Sequence, residues 1–246
     1  MGPPLDDGSI DSDRAKVFLV VSVLATFALY MIPSGRYVAY PLMLLSTLAH
    51  EMGHGVAALL TGNDFEQFQM WSDGSGLARW RGDPGRFARA FIAAGGLVGP
   101  AFASAFCFVL ARRAKLARFT MGLVALGLIL SMVLVVRNLF GLVFVGALAA
   151  LFIALAAKAK PWVAQLSLLF LGSQLALSVF SRSDYLFTDV AEMSTGPMPS
   201  DVATMAEQLF LPYWFWGGVC GLTSLLIMAA GLWSFFRDTA GAPKRV

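Results

Sequence analysis

Residues 44–62 read LLSTLAHEMGHGVAALLTG, and the two histidines within them, His50 and His54, are the only ones in the chain. The run is otherwise apolar or small and reads as a helix, on which positions i and i+4 share a face. His50 and His54 can therefore offer two imidazole nitrogens to one ion, with Glu51 beside them. This is the H-E-x-x-H spacing, in which two neutral imidazoles bind Zn²⁺ and the carboxylate takes a proton from a bound water. A chance pentapeptide on a buried helix is the plain alternative. It must place three ionisable groups within five positions of a lipid-length apolar run, where one charged group costs about 2.5–3.5 kcal/mol.

The rest of the chain suits that setting. Of its 246 residues 58% are hydrophobic and 13% charged, against about 25% charged in soluble domains, and this points to an all-α polytopic membrane protein. Apolar stretches of about the length needed to span hydrocarbon fall at residues 17–32, 37–61, 87–112, 119–136, 139–157, 162–180 and 209–236. That gives about 6–7 transmembrane helices, six if one is re-entrant. Residues 1–16 form a polar tail, 17–236 a single transmembrane domain and 237–246 a second polar tail. The amino-terminal tail lacks the positive start of a secretory signal, so the first span reads as a retained anchor.

The net charge of +3 comes from loop Lys and Arg. It suits a bacterial inner (plasma) membrane and gives no footprint for nucleic acid. With seven spans, Arg112, Arg113, Lys115, Arg118, Lys158, Lys160, Arg237, Lys244 and Arg245 fall on one side. By the positive-inside bias that side is cytoplasmic, leaving the amino terminus and the acidic connection at 182–207 outside. Cys107 and Cys220 lie inside apolar runs and read as core residues.

Between the second and third spans, alternating Phe65, Phe68, Met70, Leu77 and Trp80 flank Ser72-Asp73-Gly74-Ser75-Gly76, the pattern of a β-hairpin. Its edge strand could hold an extended substrate by strand addition; a structured connecting loop is the plainer reading. The small residues of Ala93-Ala94-Gly95-Gly96-Leu97-Val98-Gly99-Pro100 allow close helix approach, predicting that the third span packs on the histidine helix.

Two histidines are too few for a catalytic metal, which usually takes three protein ligands. The third is expected to be a carboxylate: Glu66, Asp73 or Asp83 in the hairpin, or Asp184, Asp189, Glu192, Asp201 or Glu207 in the late connection. Ser200 or Asp201 also looks like the start of a helix, so Asp201 divides evenly between ligand and cap. Arg137-Asn138 reads as an interfacial anchor, with Asn138 as an alternative oxyanion donor.

His50-Glu51-Met52-Gly53-His54-Gly55, the Ala94-to-Pro100 segment, Asn138-Leu139-Phe140-Gly141 and Ser200-Asp201 together resemble the site-2 protease superfamily, in its compact bacterial form without a PDZ domain. The resemblance covers most of the chain between Pro41 and Trp216. It implies an intramembrane zinc metalloprotease with His50, His54 and Asp201 as zinc ligands, Glu51 as catalytic acid/base, and a transmembrane protein in the lipid bilayer as substrate. Here the aspartate follows Ser200, where better-studied members carry Leu-Asp-Gly. The competing classes are a catalytically silent homologue that binds membrane partners, and a metal transporter or sensor. A transporter needs a polar path through several helices, and outside the histidine motif the spans are almost bare of polar groups.

Overall fold

The computed structural model describes residues 10, 12–32, 34–181, 184–193 and 196–240. In chain order these form α1 (Ser12–Met31), α2 (Gly35–Leu60), β1 (Asp64–Met70), β2 (Gly76–Arg81), α3 (Arg86–Leu110), α4 (Ala114–Leu134), α5 (Leu139–Lys158), α6 (Pro161–Ser181), α7 (Asp184–Phe187), β3 (Val190–Met193), β4 (Gly196–Pro199), α8 (Asp201–Leu209) and α9 (Tyr213–Ala240). The protein is an all-α polytopic membrane protein carrying two small antiparallel hairpins. Among the described residues, five helices are long and apolar enough to cross a membrane: α3, α4, α5, α6 and α9. Their outward faces are apolar, with Leu126, Leu130, Val143, Leu151, Leu222 and Leu226 exposed, as lipid contact requires.

Both ends of the bundle can be read from side-chain bonds. At one end Arg118 caps α5 by donating to the Ala156 and Ala157 carbonyls, and Gln165 at the start of α6 donates to Ala111 at the end of α3. The Ile10 N–H donates to that same Gln165 side chain, and Lys16 lies over the Phe236 ring near the end of α9. The start of α1 therefore sits at the basic end with Arg112, Arg113, Lys115 and Lys158, which corrects the expectation that it lies opposite them.

The histidine helix α2 is not among these five. The first hairpin runs along it, with Tyr40 donating to Ser72 and Thr47 to Gly74 near the tip and Trp80 against Ala57 and Ala58. The hairpin is itself tied to the α4–α5 connection, where Phe68 N–H donates to Val135 (2.7 Å) and Arg137 N–H to Phe68 (2.9 Å). So α2 begins and ends away from the basic end. The last span also starts later than the apolar run, at Tyr213, because Phe210 adopts φ 68° and Pro212 follows it. That left-handed residue ends α8 and re-aims the chain into α9.

Helices α2 and α3 meet backbone to backbone. A Cβ on Gly53 would run into the Gly95 carbonyl, and one on Gly95 would lie 2.7 Å from the Gly53 oxygen. Small residues buy this approach, as expected for the third span. Gly53→Ala is expected to force the helices apart and to cost about 1–3 kcal/mol, read as a lowered thermal midpoint of the detergent-solubilised protein.

Candidate metal centre

The histidine helix presents its motif to a cavity of about 390 Å³ walled by α2, β2, α3 and α8. His50 and His54 stand one turn apart on α2, with their rings edge to face. Gly96 of α3 makes room for the second ring, since a Cβ there would lie 2.2 Å from His54 Nε2. The His54 Nδ1 lies 2.8 Å from the Ile92 carbonyl. A carbonyl can only accept, so Nδ1 carries a hydrogen and Nε2 is the ring atom that faces Asp201 and the cavity.

Opposite, Ser200 takes the cap of α8: its hydroxyl accepts from the Ala203 N–H (3.1 Å) and donates to Thr188. With the cap filled, Asp201 in the first turn is free to point inward. Its Oδ2 lies 3.2 Å from His50 Nε2 and 3.4 Å from His54 Nε2, and the two Nε2 atoms are 3.2 Å apart. Ligands at about 2.0–2.1 Å around a tetrahedral ion are separated by about 3.3–3.4 Å. The three donors therefore already stand at the spacing of a bound set and could hold a metal ion. Without a proton or cation between them, two imidazole lone pairs and a carboxylate oxygen would repel at this distance. Burial alone would raise the Asp201 carboxyl, but the His54 and His50 imidazoles beside it hold it below the ordinary carboxylate range, in the ionised form that binds metal.

A protein-family model described as Peptidase M50B-like matches residues 19–231. The chain belongs to this family. Neither a curated protein nor a solved structure matches it. In this M50B-like chain Asp201 is, among the described residues, the carboxylate that joins the two histidines in a donor set. Glu66 pairs with Arg81 and Asp83 with Arg89, while Asp73 accepts from the backbone and hydroxyl of Ser75 in the hairpin turn. Asp189 and Glu207 are exposed, and the side chains of Asp184 and Glu192 lie outside the described residues. Cys107 and Cys220 are buried in apolar clusters.

Glu51 is outside the donor triangle but lines the same cavity. It is 8% exposed, and its Oε2 accepts the Ala78 N–H of β2 at 2.7 Å. Asn138 is not available to an oxyanion, because its side-chain amide donates to the Met70 carbonyl and accepts the Met70 N–H. It clamps the outer edge of β1. The Ala78 amide and the Ile92 carbonyl could not be picked out from the residue types, because they are backbone groups that almost any residue would supply.

Proposed function

We propose that this M50B-like chain is an intramembrane zinc metallopeptidase that hydrolyses peptide bonds of transmembrane proteins. The observation that carries the reading is the His50–His54–Asp201 triangle at ligand spacing, opening into one cavity with the buried carboxylate of Glu51. Zinc is the natural occupant of two imidazoles and one carboxylate with a fourth position left open, and it would lower the pKa of a coordinated water to about 7. Glu51 accepts the proton at its carboxylate and delivers it to the leaving amine nitrogen.

A helical amide is hydrogen-bonded to its own helix, so the substrate must unwind before it can be cut. The first hairpin offers a place for the unwound chain. On β1 the N–H and C=O of Phe68 are directed to the α4–α5 connection, so its partner across the ladder, Ala78, turns its own pair to the opposite edge, toward the cavity. Strand addition at the β2 edge would lay an extended chain beside the metal ligands. The facing hairpin does not compete. Ser200 N–H pairs with Asp189, so by alternation Pro197 and Pro199 occupy the outward positions of β4 and have no N–H to donate.

The test is zinc analysis of the purified protein together with cleavage of a panel of single-span substrates. One zinc per chain is expected, with cleavage lost on chelation and restored by added zinc. Cleavage that persists after zinc is fully removed overturns the reading.

A further inference from the structure

The carboxylate assigned to proton transfer and the strand edge assigned to the substrate are joined by one bond. Ala78 lies midway along β2, and its outward N–H is the donor that a chain pairing with this edge needs at that position. That N–H donates to Glu51 Oε2 at 2.7 Å. The contact is tightly built. Gly76, one pleat away, brings β2 so near α2 that a Cβ there would lie 2.6 Å from the Thr47 methyl and 2.7 Å from Glu51 Cγ.

A single N–H held by an ionised acceptor cannot also pair fully with a guest carbonyl, and a bond to a charged acceptor is the stronger of the two. In the protein as it stands, Glu51 therefore occupies the middle of the substrate edge. We propose that the Ala78 N–H is a shared donor: it parks Glu51 on the strand edge until an extended chain pairs with β2, takes the N–H and releases the carboxylate toward the cavity. Ala78 is a positioning residue that acts through its backbone. The site then becomes competent for proton transfer only when a strand is seated, which limits idle hydrolysis at the open metal position. This device rests on the strand-addition reading above.

The experiment uses full-length, zinc-loaded protein in detergent. Glu51→Gln keeps an oxygen that can accept from Ala78, and Glu51→Ala does not. The probe is a capped, fluorescent Val/Thr-rich octapeptide, compared with the same peptide N-methylated at alternate amides so that it cannot pair as a strand. Glu51→Ala is expected to bind the unmethylated peptide about five- to ten-fold more tightly than Glu51→Gln, the effect of removing one competing hydrogen bond. The N-methylated peptide should bind neither. Hydrogen exchange at the Ala78 amide is expected to be slow in wild type, at least about ten-fold faster in free Glu51→Ala, and slow again with saturating peptide.

Glu51→Asp, which keeps the charge but is one methylene too short to reach Ala78, should show the same fast exchange. It serves as the second variant if Glu51→Ala does not fold. Equal peptide affinities in the Gln and Ala variants, or unchanged Ala78 exchange in the Ala and Asp variants, overturn the proposal. None of these readouts requires cleavage, so failure here leaves the peptidase reading standing, and failure of zinc-dependent cleavage would leave the shared N–H without its catalytic consequence.

Discussion

Glu51→Gln protein is expected to carry as much zinc as wild type and to cleave single-span substrates at least about 10²–10⁴-fold more slowly, the range of general-base contributions. The geometry separates the two properties. His50, His54 and Asp201 form a triangle with sides of 3.2–3.4 Å, and Glu51 belongs to none of its corners. Replacing the carboxylate with an isosteric amide leaves every donor in place and removes only the group able to accept a proton. His54→Ala is the matched control and should lose both metal and activity, because it deletes a corner of the triangle. Cleavage at the wild-type rate by purified, zinc-replete Glu51→Gln would refute the assigned role.

The second large effect is expected at Asp201. Asp201→Asn exchanges an anionic donor for a neutral amide at nearly the same shape. Zinc affinity should fall by at least about 100-fold, beyond the 10–100-fold typical when only an outer partner of a ligand is changed. Activity should fall with it. The comparison is Asp189→Asn, eleven positions before Ser200 in the same connection and exposed, which should keep both. Equilibrium dialysis against buffered zinc reads the two proteins directly. If Asp201→Asn retains full metal and full activity, Asp201 is not the third ligand.

Much of this site was legible because its chemistry lies in side chains at fixed helical spacing. His50, Glu51 and His54 need only the rotation of a helix to be brought together, and the hairpin followed from alternation around an Asp-Gly turn. Asp201 could be listed among carboxylates but not singled out by spacing, since an aspartate at a helix start caps as readily as it binds. What released it was Ser200 taking the cap, a contest decided by atoms one residue apart. The position of α1 was misjudged for a different reason. Hydropathy marks where a helix could cross but not from which end it enters. Tertiary hydrogen bonds from Ile10 and Gln165 were needed to fix which end α1 starts from.

Both ligand-bearing elements dock on α3. Its Gly95 and Gly99 receive α2 at backbone distance, its Gly96 houses a ring, its Ile92 carbonyl orients that ring, and Ala90, Ala93, Leu97 and Val98 share a buried cluster with Val202 and Met205 of α8. α3 is thus the jig on which two otherwise unconnected pieces are held to ångström tolerance, while contributing no donor atom itself. A random-mutagenesis screen for inactive protein should accordingly find many of its hits in a stretch with no reactive chemistry, because bulk added anywhere along that seam would spread the three donors beyond the reach of one cation.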